Sequence, residues 1–163
     1  MFRTTTIANL MLEELPPITY QKRLYYRTNH DEVVVLYKML NKLIFNNKLI
    51  MPEIEVMPRC RKYWGMCFAT INMPTKTESF CKIRMMDKWY CIQWMITILA
   101  HEMAHQYTWD IERPAREAVG KKGLMSHGSS FLQHRAKMAE FNIRLKHYLY
   151  INRWFKYQRF DKC

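Results

Sequence analysis

The sequence predicts an α+β domain, with helices packed on a small three-stranded antiparallel sheet, and three observations carry that expectation. Apolar residues recur at helical spacing from about residue 31 to 45 and again from 92 to 107. Between these stretches, residues 53–57, 66–71 and 81–85 read as strands, the first and last alternating polar and apolar. Turn and breaker residues such as Trp64-Gly65 and Asn72-Met73-Pro74-Thr75 separate the strands.

In chain order, residues 1–28 form an N-terminal extension. Pro16-Pro17 breaks any helix begun near Thr6, and Tyr20 to Arg27 is a basic, aromatic, extended or docking segment. The first helix opens at Asn29-His30-Asp31-Glu32, where Asn29 or Asp31 can cap it and the acids suit the positive end of its dipole. Phe45-Asn46-Asn47-Lys48 ends it. The three strands follow, then a helix from Ile92 to Tyr107 with Ile92, Met95, Ile96, Leu99 and Met103 as its apolar stripe. Pro114 is expected to stop any continuation, and residues 110–126 read as a loop with Gly120 and Gly123 in a basic patch. Ser126 or Ser129 can cap a last helix from Phe131 to about Phe141. Residues 143–163 form a basic, aromatic C-terminal segment packed on the domain or extending it.

Composition narrows the function. The 163 residues suit one domain with a real core. Lys and Arg exceed Asp and Glu by 26 to 14, giving a net charge of +12, which favours polyanions and nucleic acid above all. The five cysteines, at 60, 67, 81, 91 and 163, form no CxxC pair, which argues against a zinc ribbon or a disulfide framework and for reduced thiols, with Cys67, Cys81 and Cys91 in apolar surroundings. No segment has the length of a membrane span or of a secretory signal. The expectation is an intracellular protein, cytoplasmic or at the nucleoid or nucleus, neither secreted nor membrane-bound.

The chemistry concentrates at His101-Glu102-Met103-Ala104-His105. On a helix, residues four apart lie about 40° apart around the axis and roughly 6 Å along it, so two imidazoles can converge on one ion. Zinc takes imidazole nitrogen at about 2.0–2.1 Å and, in catalytic sites, leaves one position for water. Glu102, rotated by about 100° from His101, stands beside the ion as a general base for that water, whose pKa the metal lowers towards about 7. The bare pattern also occurs on helices with no metal, but here it sits within a long amphipathic helix, the context it requires. For the third ligand, Glu112 and Glu117 lie nearby without a favourable register, and Glu140 is open. His127 is the better candidate, immediately before Gly128 at the start of the next helix. His134 fits a helix-surface residue better.

Taken together, these motifs resemble the SprT-like metallopeptidases, the family that includes the DNA–protein crosslink protease Spartan. Residues 36–49 are similar to the family's first helix and the link after it, Glu53 to Met57 and Gly65-Met66-Cys67 to its first strands, and Ile83 to the strand before its catalytic helix. Leu99-Ala100-His101-Glu102-Met103-Ala104-His105 resembles its LxHEMxH. His127-Gly128-Ser129-Ser130-Phe131 resembles its HGxxF. The resemblance covers about residues 31–142 and implies a zincin-like fold over a domain at 29–142. It implies Zn2+ on His101, His105 and His127, Glu102 as base, Phe131 packing the following helix, and proteolysis, often of DNA-bound proteins.

Two departures stand beside it. Twenty-one residues separate His105 from His127, a long insert that carries Arg113, Arg116, Lys121 and Lys122 as candidate nucleic-acid contacts. The ribbon that often serves DNA binding is missing. The interleaved cations and rings of residues 146–160, including Arg153, Lys156 and Arg159, could contact single-stranded or duplex DNA instead. The competing reading is packing, since Tyr148, Ile151 and Phe155 recur at helical spacing. Two function classes follow: a zinc endopeptidase acting on protein, or a DNA- or protein-binding module or regulator in which zinc is structural.

Overall fold

The computed structural model describes residues 26–58, 62–69, 79–121, 123 and 125–149. Within them the fold is α+β. A short strand β1 (Tyr26–Arg27) leads into helix α1 (His30–Phe45), followed by strands β2 (Glu53–Met57), β3 (Gly65–Ala69), β4 (Cys81–Met86) and β5 (Lys88–Trp89). Helix α2 (Ile92–Tyr107) runs on through a π-helical turn (Thr108–Glu112) into α3 (Arg113–Glu117), and two short helices, α4 (Ser129–Leu132) and α5 (Arg135–Ala139), close the described core.

Helix α1 starts where its cap is: the Asn29 side chain accepts the Glu32 backbone N–H at 2.9 Å, while Asp31 and Glu32 face the unpaired N–H groups of the first turn. It ends at Asn46, whose left-handed backbone (φ 54°) turns the chain. One turn earlier, the buried Asn41 side chain both donates to the Leu49 carbonyl and accepts its N–H, tying the outgoing chain to the helix. Val33, Leu36, Tyr37, Leu40, Ile44 and Phe45 face the core.

The three longer strands form a sheet in the order β2-β4-β3, and it is mixed, not antiparallel as expected. β3 pairs antiparallel with β4, Cys67 opposite Ile83, whereas β2 pairs parallel with it, Ile54 opposite Ile83. Two reversals of direction leave β2 and β4 running the same way, and placing β4 centrally turns that shared sense into a parallel pair. Alternation along a strand reports which side chains are buried and is silent about neighbours. The burial itself follows the alternation: Cys81, Ile83 and Met85 point inward. Lys82 lies against Glu53 and Glu55, and Arg84 against Glu55, across the parallel pair. β1 pairs with β5 in a separate two-stranded ribbon, so Tyr26 and Arg27, the end of the extended or docking segment expected over 20–27, are extended and paired, while its residues 20–25 lie outside the described ones.

Helix α2 is buried almost all round, as suits an element with the sheet, α1 and α4 against it. The expected stop before Pro114 does not occur, and the stretch read as a loop begins as helix. The Arg113 N–H bonds to the Thr108 carbonyl, five residues back, and the widened turn carries the chain into α3. Pro114 then lies in the first turn of α3, where its fixed φ is suited and its missing N–H costs little. α3 ends in a Schellman turn: Lys121 N–H bonds to the Arg116 carbonyl and Gly120 N–H to that of Glu117, with Gly120 left-handed at φ 73°. The last helix expected over 131–141 is two short ones, α4 and α5, separated at Gln133 and His134. Beyond them Ile143 and Leu145 are buried, so the described start of the C-terminal segment packs on the core.

Candidate metal centre

The second half of α2 carries His101, Glu102 and His105. The Nε2 atoms of His101 and His105 stand 3.2 Å apart. Two nitrogens each about 2.0–2.1 Å from one ion would be separated by that distance at an angle of about 100°, close to tetrahedral. His127 joins them from the turn before α4, its ring 5.5 Å from that of His101 and 4.7 Å from that of His105. One nitrogen from each of the three rings lies within 4.8 Å of the others. The fully buried Phe131 contacts all three imidazoles, with centroids 4.6–4.9 Å away. It braces the donor set as well as anchoring α4.

The donor chemistry fits a metal. His127 Nε2 is buried without a hydrogen-bond partner, an arrangement that costs free energy unless a ligand fills it. His101 Nδ1 is likewise orphaned by geometry, although the nearby Lys146 backbone favours the protonated ring. Burial first, then the neighbouring imidazoles, push His101 down to about 3 and His105 to about 4. Burial and then His147 lower His127. At neutral pH all three are therefore uncharged, with lone pairs available for coordination. A group of this kind could hold a metal ion.

Glu102 is buried beside this set. Burial raises its carboxyl to about 8, against a smaller opposing effect of the Cys67 backbone. A bound cation would favour its ionised form again. The strand reaches it because residue 65 is glycine: a Cβ there would meet Ile98 Cγ2 at 2.7 Å and Glu102 Cγ at 3.2 Å. Gly65, read as part of a turn from its neighbours and as the start of a strand from the resemblance, is the first residue of β3, and there the strand lies close against the helix.

The alternatives for a third ligand lie elsewhere. Glu112 accepts from Gln133, Glu117 pairs with Arg113 and Glu140 with Lys137. His134 is not on the surface: its ring packs between Phe45 and Tyr107, at 4.7 and 4.4 Å.

The histidines line a cleft of about 750 Å³ whose walls include Trp64, Met66, Trp109, His147 and Tyr148. His147 lies nearly parallel to His127, with centroids 5.5 Å apart, and Tyr148 stands 5.8 Å from the same ring. Both belong to the stretch proposed for nucleic acid, and that reading did not connect them with the histidines. Trp109 was missed too. It follows His105 by one helical turn, and ending the helix at Tyr107 concealed it.

Of the candidate nucleic-acid cations, Arg113 is bonded to Glu117 at 2.8 Å and stands over Phe80 and Trp109. Arg116 and Lys121 line a second cavity of about 270 Å³ on the other side of Trp109. Lys122, Arg153, Lys156 and Arg159 lie outside the described residues. Cys67, Cys81 and Cys91 are free thiols, Cys81 buried and the others half-buried. No described helix is long and apolar enough to cross a membrane. No protein-family model matches the chain, and no curated protein matches it.

Proposed function

We propose that the chain is a zinc-dependent endopeptidase with a zincin-like, SprT-like arrangement, acting on protein substrates and, given the charge of +12, on proteins associated with DNA. The observation that carries this reading is the convergence of three neutral imidazoles in an open cleft with a buried carboxyl group next to them. A structural zinc is usually closed by four protein ligands. Among the described residues the metal-type cluster has three, all histidine, which leaves one side for substrate.

His101, His105 and His127 would hold the ion, and Phe131 keeps their rings in place. The bound zinc would supply Lewis acidity towards the scissile carbonyl and a water molecule. Glu102 takes the proton of the attacking water as the new C–O bond forms. It then delivers that proton to the amine nitrogen as the C–N bond breaks. Burial raises the Glu102 carboxyl to about 8, against the Cys67 backbone, and a bound cation would favour the ionised carboxylate that this first transfer requires. Trp64 and Trp109 give the substrate chain apolar walls.

Zinc content and cleavage of casein and of DNA-bound protein, with and without DNA, test the reading in wild type and Glu102→Gln. The variant should retain zinc and lose about 10²–10⁴-fold in rate. Undiminished cleavage by Glu102→Gln would remove the mechanism. Absent cleavage by a zinc-loaded wild type would favour the binding-module reading.

A further inference from the structure

The cavity beyond Trp109 has no part in the chemistry just described, yet it shares a wall with the cleft that does. Trp109 lines both spaces, so a polypeptide lying along the cleft past His105 and over the indole reaches the second one. We propose that this cavity is a substrate subsite for an acidic side chain, held by Arg116 and Lys121. The proposal rests on the peptidase reading and deepens it by naming a substrate preference.

The charge inventory supports this. The cavity is lined by three cations and one acid, and the acid, Glu117, is bonded to Arg113. Arg116 and Lys121 have no acidic partner among the described residues. Arg116 Nε is moreover buried with no hydrogen-bond partner. The Schellman turn at Gly120 brings the Lys121 backbone onto that of Arg116, and both side chains line the same cavity. Their repulsion is relieved by an anion between them, and a carboxylate can accept the guanidinium fork and the ammonium together.

Size and position favour a peptide carboxylate over a nucleic-acid backbone. A space of about 270 Å³ takes one side chain, and it opens beside the metal cleft. A polyanion strand is recognised by cations that follow its length, with rings stacking on successive bases. Trp109, with Arg113 over its face, is in contrast a single ring that lines both spaces.

The test uses the zinc-loaded full chain and a set of otherwise identical peptides in which Glu replaces Gln at one position at a time around the scissile bond. At one position the Glu peptide should be cleaved with kcat/KM about tenfold or more above its Gln counterpart, the advantage of one charge-assisted contact. In Arg116→Gln/Lys121→Gln that ratio should fall to about one. A ratio near one at every position in wild type, with cleavage intact, overturns the subsite and leaves the peptidase standing. Absence of cleavage of every peptide overturns the peptidase reading. The subsite is then judged by fluorescence anisotropy of the same peptides on zinc-loaded Glu102→Gln protein, where equal affinities for the Glu and Gln peptides sink it. If the double substitution weakens a single-stranded oligonucleotide about tenfold but leaves the peptide ratio intact, the two cations serve nucleic acid and the proposal fails.

Discussion

On one side of helix α2, Gln106 donates to the Ile50 carbonyl at 2.8 Å and to Asp110 at 2.9 Å, while Tyr37 donates to its oxygen at 2.8 Å. Asp110 also accepts the Ser79 hydroxyl and the Phe80 N–H. On the other side, one turn away, His127 Nε2 is buried without a partner beside the His101 and His105 rings. Both groups are polar and shielded by the same helix. The first is complete within the chain: it ties α1, the approach to β4 and the π-helical turn to α2, and burial keeps the Tyr37 hydroxyl protonated as its donor. The second is complete only with something from outside. A satisfied buried network stabilises a fold, whereas an unsatisfied polar atom that faces a cleft among other metal-type donors is where a ligand can complete it.

This contrast can be broken from either side. On the imidazole side, zinc should raise the unfolding free energy of wild type by about 4 kcal/mol at a free concentration a thousandfold above Kd. His105→Ala should remove that increment along with bound metal. Thermal unfolding with zinc and with chelator measures it, and an equal response of the two proteins would show that the histidines are not the ligands.

On the Gln106 side the expected effect ignores metal. Asp110→Ala strands the Ser79 and Phe80 donors and removes one of the acceptors of Gln106, and should cost about 3 kcal/mol, to the same extent with zinc as with chelator. Urea unfolding under both conditions reads this. A penalty that appears only in the zinc-loaded protein would mean that the two sides are coupled through the helix.

What could be read from the sequence divides along a similar line. The cap at Asn29, the buried stripe of α1 and the pair His101 and His105 are local, set by spacing within one turn or one helix. His127 was reachable because it lies beside Gly128 at a helix start. The Gln106–Asp110–Tyr37 network was not, since its partners are separated by up to 69 positions and nothing in the neighbourhood of Gln106 announces them. The parallel pairing of β2 with β4 depends likewise on strand order, which alternation does not encode. Pro114 misled for a different reason. The breaker rule assumes an i to i−4 ladder, and the π-helical turn before Pro114 departs from that ladder.

His134 sharpens the comparison, being a buried histidine that belongs to neither group. Its ring is held between Phe45 and Tyr107, and burial lowers its pKa to about 4, with a smaller opposing contribution from Glu112 and a further lowering by Lys48. Because the folded value lies below the unfolded one of about 6.5, the neutral ring favours the fold above that pH. This contribution is lost as pH falls from about 6.5 towards about 4. Between pH 7 and 4.5 it amounts to about 2–3 kcal/mol. His101 and His105 add to the same slope, so the measurement is a difference: chelator-treated wild type should lose more stability over this range than His134→Leu. Identical slopes would show that His134 does not titrate on unfolding.

The smallest expected effect lies outside both groups, at the turn that orients Arg116 and Lys121. Gly120 has φ 73° with open space around it, so an added Cβ meets no neighbour and only the backbone conformation is penalised. Gly120→Ala should therefore cost about 1 kcal/mol, the usual penalty for a side chain in the left-handed region. Zinc affinity should not change, because the turn touches neither the histidines nor Phe131. The preference for an acidic side chain should weaken, because the Lys121 N–H bond to the Arg116 carbonyl sets the course of the backbone between the two residues that line the cavity. A stability loss with an unaltered acidic preference would mean that the cations find their positions without the turn. A loss of zinc would mean that the cavity beyond Trp109 and the metal centre are one mechanical unit.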